Sequence, residues 1–228
     1  MRIHNLSMAK KQKKAEGRQV NLQKASVRQQ ISYTNLLDKK DLEDIRNRMN
    51  EFDKQREILI KLGRDVIKLS KQIIYCSHRN ELEEAERLSK EIKRLVEEEN
   101  KIVEANPKLI YSGSFKVDVQ EYVEAMCYFE FVKNKRIPSH KELKVGGEHY
   151  LLGLCDLTGE LTRNAVNSGI NADYKQILLI KELVSEIYGE LLKFDFGNGD
   201  LRKKFDGIKY ELKKIEDLVL ELKLKDRV

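Results

Sequence analysis

Tryptophan is missing from this chain and proline nearly so: 228 residues hold two prolines and twelve glycines. So few breakers leave long stretches of backbone free to run as helix. Long apolar runs are missing too. No segment approaches the roughly 20 apolar residues a membrane helix needs, and this excludes a membrane-spanning helix. No apolar stretch follows the N-terminus, so no secretory leader is expected. Cysteine is scarce. Cys76, Cys127 and Cys155 lie far apart with no zinc-binding spacing, and are expected as reduced core thiols of a cytoplasmic protein. No Walker loop, dinucleotide fingerprint or nucleophile elbow occurs. His78, His140 and His149 have no partner at ligand spacing and are expected as surface or packing residues.

What is present is charge and helix formers. Charged residues make up 36% and hydrophobic residues 40%, enough for a core. Leu, Ile, Glu and Lys dominate, and no strand pattern competes. The expected fold is all-α, an antiparallel bundle of six to seven helices. The net charge of +6 is unevenly placed. Residues 1–30 carry eight basic side chains (Arg2, Lys10, Lys11, Lys13, Lys14, Arg18, Lys24, Arg28) against Glu16, which leaves the body near neutral. Residues 1–35 read as a mobile basic tail and 36–228 as one helical domain. The tail suits a flexible arm that holds phosphates, and equally an unspecific polybasic end.

The periodicity sets the helices. Leu42, Ile45, Met49, Phe52, Ile58, Leu62, Val66, Leu69 and Ile73 form one apolar stripe on a first helix, about 36–77. Asn80 is expected to cap a second that ends before Pro107. A third is expected over 117–135, and a turn or short helix from Pro138 to Gly146-Gly147. A fourth should run over 149–168 and stop at Gly169. A fifth spans 173–194, and Asp200 caps a sixth.

Two of these helices carry paired acids. On the third, Val119, Tyr122, Val123, Met126 and Phe129 form an apolar face, with Glu121 and Glu124 opposite. Val117, Tyr128 and Phe131 share the glutamates' side. The helix is therefore apolar nearly all round with two carboxylates set into it, which is costly unless a cation or hydrogen bonds compensate them. Glu130 faces elsewhere. On the fourth helix Asp156 and Glu160 are neighbours at i,i+4 in a narrow polar stripe with Arg163, Asn164 and Asn167. Gly153 beside it admits a close neighbour. Acid pairs at helical spacing are also the ordinary pattern of a solvated face. Four oxygen ligands and no histidine suit magnesium or manganese, as used on phosphate esters. A di-iron bundle would need Glu-x-x-His pairs, and none occurs. Arg163 is a candidate phosphate contact or an ion-pair partner of Glu160.

Several stretches resemble the translin–Trax family. They are Phe52-Asp53-Lys54-Gln55-Arg56-Glu57, Gly63-Arg64-Asp65 through Ser77-His78-Arg79, Gln120-Glu121-Tyr122-Val123-Glu124-Ala125, Tyr150-Leu151-Leu152-Gly153, and Asp156-Leu157-Thr158-Gly159-Glu160-Leu161 with Asn167-Ser168. They lie nearer the Trax side. Leu201-Arg202-Lys203-Lys204-Phe205-Asp206-Gly207 is similar to translin. The resemblance spans about 50–222. It implies a translin fold of about seven helices and an oligomeric, usually eight-subunit shell around RNA or single-stranded DNA. It implies self-assembly, or assembly with a translin-like subunit. It further implies a magnesium- or manganese-dependent endoribonuclease whose acids fall on Glu121, Glu124, Asp156 and Glu160, with 5′-phosphate and 3′-hydroxyl products. The alternative within the family is a nucleic-acid-binding shell without catalysis. The connection between the two acidic helices is short, without the long insertion of animal Trax.

Overall fold

The computed structural model describes residues 36–227; the basic tail over 1–35 lies outside the described residues. Among these, the secondary structure is all helical. It comprises α1 (Lys39–His78), α2 (Leu82–Ala105), a 3₁₀ turn (Pro107–Tyr111), α3 (Gly113–Asn134), α4 (His140–Leu143), α5 (Gly147–Ile170), α6 (Tyr174–Leu191) and α7 (Asp200–Leu224). The chain divides into two compact units, Met1–Met49 and Asn50–Val228. The first contributes only exposed residues to the described part, and the whole core lies in the second. None of the described helices is long and apolar enough to cross a membrane. The three cysteines are free and buried.

The core is one apolar cluster fed by every long helix. α3 packs against α2 and α5, and α5 also packs against α6 and α7. Twelve residues of α3 are buried, among them Phe115, Tyr122, Met126, Tyr128 and Phe131. Over 118–132 none of its residues is exposed, as its sequence implies, whereas Val117, expected on the glutamates' side, is exposed before that stretch begins. A helix of this kind is placed by the core from all sides, which fixes the direction of any polar residue it carries.

Four expectations need correction. Leu42, Ile45, Met49 and Ile58 belong to the apolar stripe of α1, yet they are exposed, and burial on α1 begins at Leu59. Periodicity names the apolar face of a helix but does not say how far other elements extend to cover it. Asn80 does not cap α2. It takes φ 60° in the turn after α1, a left-handed conformation that asparagine tolerates. Gly169 does not stop α5, which continues to Ile170, and Ala172 supplies the left-handed turn residue. Asp200 lies inside the first turn of α7, where its carboxylate accepts from Lys116 at 2.9 Å instead of capping the helix. Asp173 does cap α6, accepting from the backbone N–H of Gln176.

Candidate functional site

α3 and α5 bring the two acid pairs face to face. Their approach depends on Gly153. A Cβ built there would meet Cβ and Cγ1 of Val123 at 2.6 Å and the carbonyl oxygen of Gln120 at 2.9 Å. Only a hydrogen fits between α5 and the α3 backbone, one residue before Glu121. Gly153→Ala is expected to push the helices apart and to cost about 1–3 kcal/mol by overpacking. A urea unfolding curve overlaying that of the wild type would sink this reading of the contact.

Glu121, Glu124, Asp156 and Glu160 are all half-buried. Burial raises the pKa of Glu124 to about 8, and the charges of Asp156, Glu121 and Glu160 add to the rise. Burial also raises Glu121. Lys71 of α1 and Lys204 of α7 oppose that rise, while Asp156 and Glu160 reinforce it. Each glutamate of α3 therefore feels both acids of α5, and the four share one electrostatic field. No hydrogen bond contributes to the state of Glu121 or Glu124.

The acids of α5 are engaged. Lys204 Nζ donates to Asp156 Oδ1 at 2.5 Å and to Oδ2 at 2.8 Å, and the Gln120 amide donates to Oδ2 as well. Glu160 Oε2 lies 2.5 Å from His78 Nε2 and 3.6 Å from an Arg163 guanidinium nitrogen. The His78 hydrogen bond holds the Glu160 carboxyl below its ordinary range, against burial. With the side chains turned to these partners, no three His, Cys, Asp or Glu groups among the described residues are gathered tightly enough to hold a metal ion. Of the two readings of Arg163, a phosphate contact or an ion pair with Glu160, the structure has the ion pair, with the side chain largely exposed. Glu130 is remote from this cluster, bonded to Asn134 and paired with Arg136.

Residues 54–226 match the model of the Translin family. The chain belongs to the Translin family. Translin of Gallus gallus is 40% identical over 78 residues, 34% of each chain. That match spans about a third of the curated translin. Translin-associated protein X of Rattus norvegicus is 25% identical over 210 residues, 74% of this chain and 72% of its own. Among solved structures, apo-NeC3PO superposes with a TM-score of 0.74 at 25% identity, covering 82% of this chain and 98% of that one. AfC3PO, solved as a complex with duplex RNA, gives 0.74 at 27% identity, covering 81% and 97%.

In this Translin-family chain the sequence reading missed two basic partners. Lys204 is one cation among several on a charged helix, and nothing in its spacing points across the bundle to Asp156. His78, expected as a surface or packing residue, does pack, its ring lying 4.6 Å from that of Tyr128, but it also has partners that its spacing did not show. It is almost fully buried at the end of α1 and bonded on both ring nitrogens, to Glu160 and to the Tyr128 hydroxyl at 2.8 Å.

Proposed function

We propose that this Translin-family protein is a magnesium- or manganese-dependent endoribonuclease that works within an oligomeric shell, on single-stranded RNA or a short duplex. One observation carries the reading. Two glutamates set into an all-round apolar helix face two further acids across a helix contact that tolerates no side chain at Gly153. The solved relative that holds duplex RNA supports the substrate class. The oxygen-only donor set fits a hard divalent ion. So does Glu124, a half-buried carboxyl without a hydrogen bond among the described residues, since a cation is the partner such a group lacks.

Glu121, Glu124 and Asp156 would hold the ion, with Glu160 beside them. A bound divalent ion supplies Lewis-acid polarisation of the scissile phosphate and of the attacking water. The chain's own groups do the rest. Lys204, now spent on Asp156, is placed to turn its ammonium to a phosphate oxygen once the Asp156 carboxylate is engaged elsewhere. Arg163 offers a second cation at the exposed rim.

A binding shell without catalysis is the second reading. Its support is that Asp156 and Glu160 are already satisfied by Lys204 and His78. One assay separates the two. Labelled RNA is incubated with protein in magnesium, in manganese or with chelator. Cleavage is expected with either metal and none with chelator. Glu124→Ala combined with Asp156→Ala is expected to reduce it to the chelator level. Undiminished cleavage by that double variant removes the nuclease claim, and binding without cleavage in every metal leaves the shell.

A further inference from the structure

Behind Glu160 the hydrogen bonds run in one direction across four helices. Gln176 of α6 donates its Nε2 to Asn164 Oδ1 at 3.4 Å. Asn164 of α5 donates Nδ2 to the Tyr128 hydroxyl oxygen at 2.8 Å. Tyr128 of α3 is fully buried, and the remaining contact of its hydroxyl is His78 Nδ1 at 2.8 Å. A buried O–H left undonated is costly, so it donates to that nitrogen. This leaves the proton of the imidazole on Nε2, which donates to Glu160 Oε2 at 2.5 Å. Every donor in the series points toward Glu160, and its end is anchored by Lys135 Nζ, which donates to Gln176 Oε1 at 3.1 Å.

The consequence falls on one oxygen. His78 and the Arg163 guanidinium both approach Oε2. Oε1 of the same carboxylate is left without a protein partner in those contacts. A carboxylate pinned at one oxygen in this way stays ionised, and its unpaired oxygen can take a proton without the group wrapping an ion with both.

We propose that Asn164, Tyr128 and His78 form a one-way positioning relay that holds Glu160 apart from the ion-binding acids and aims its Oε1 as the site's proton acceptor. The proposal rests on the endoribonuclease reading and divides its four acids. Glu121, Glu124 and Asp156 serve the ion, and Glu160 serves the water. In the step, a water oxygen forms the new bond to phosphorus and its proton passes to Glu160 Oε1. The bond from phosphorus to O3′ breaks with its electron pair on O3′, which is protonated from solvent. The acceptor touches the reacting water, whereas His78, Tyr128 and Asn164 act only through it. Tyr128 reinforces the tautomer that Glu160 already selects, because a phenylalanine there would leave His78 Nδ1 buried without a partner and the ring less firmly held.

Three measurements on the full chain test this. The first is steady-state cleavage of single-stranded RNA in manganese. His78→Phe is expected to lower kcat about a hundredfold with KM nearly unchanged. Tyr128→Phe is expected to lower kcat about tenfold, and adding Asn164→Leu to it should cost little more, because both cut the same series. The second is Mn²⁺ binding by the metal-free protein, read by electron paramagnetic resonance. Asp156→Asn should weaken it strongly, while Glu160→Gln and His78→Phe should leave it near the wild-type value. The third is the imidazole ¹⁵N spectrum of His78, expected to show a bare Nδ1 and a protonated Nε2, and to change in Tyr128→Phe. Full kcat in His78→Phe overturns the proposal. So does a loss of Mn²⁺ affinity in Glu160→Gln equal to that in Asp156→Asn. Cleavage by the wild type with the proton of His78 on Nδ1 overturns the relay alone. No cleavage by the wild type in any metal overturns the endoribonuclease reading, and the role of Glu160 with it.

Discussion

Binding of Mn²⁺ or Mg²⁺ is expected to release close to one proton per ion at pH 7, and to tighten by up to tenfold per pH unit until about pH 8. The cause is Glu124. Burial and three neighbouring acids raise its pKa to about 8, so at neutral pH the free protein carries it mainly as the neutral acid. An ion needs the carboxylate. Each binding event below pH 8 must therefore expel the proton that the field of the site holds in place. Above pH 8 the group is already ionised and the pH dependence flattens. Titration calorimetry in two buffers of different ionisation enthalpy reads the proton directly. In Glu124→Gln the release should vanish, and RNA cleavage should fall to the level seen with chelator. Metal binding that takes up or releases no proton, with an affinity flat from pH 6 to 9, would mean that Glu124 is not a ligand.

The same field explains what the sequence could and could not reveal. α3 was legible because its composition contradicts an ordinary surface helix. Val119, Tyr122, Val123, Met126 and Phe129 occupy one side, and Tyr128 and Phe131 close the other, so Glu121 and Glu124 had to be embedded. The structure buries that helix all round. Gly153 was legible for a similar reason, as the position in a tight polar stripe where a neighbour could approach, and Val123 and Gln120 do so. Periodicity reports on one helix at a time, and this limit accounts for the misses. Lys204 and His78 lie 48 and 82 residues from the acids they serve. Their partners are set by how helices cross, which no local pattern encodes. The exposed apolar residues Leu42, Ile45 and Met49 are the same limit in reverse, a face written in the sequence without anything to say what covers it.

A second pair of acids makes a stability prediction of comparable size. Glu99 of α2 and Asp118 of α3 are 0% and 1% exposed. Both oxygens of Glu99, and Oδ2 of Asp118, are buried without a hydrogen-bond partner. Asp118 fills the space above Gly63 of α1, where a Cβ would lie 1.9 Å from Oδ2. Burial, with the Asp118 charge adding to it, raises Glu99 from its ordinary 4.5 to about 8. Burial, with the Glu121 charge adding to it, raises Asp118 from 3.8 to about 7. Below about pH 3 both groups are largely protonated whether the chain is folded or not, and their burial costs no stability through ionisation. As pH climbs from there to 8 the unfolded chain ionises while the folded chain resists, so stability falls. Above pH 8 both states are ionised and the loss is complete. For Glu99 the loss is on the order of 4 kcal/mol. Glu99→Gln escapes it and is expected to melt roughly 10 °C above the wild type at pH 8 while matching it at pH 4.5. An equal gain at both pH values would show that packing, not charge, sets the difference. No gain at either would place the carboxyl of Glu99 in contact with water. Retaining two acids at such a cost, Asp118 among them one turn from Glu121, ties the stability of the bundle to the charge of the site. Neutralising Glu121 as Glu121→Gln should lower the Asp118 pKa, so that the fall in stability associated with Asp118 begins at the same pH, ends at a lower one and is smaller.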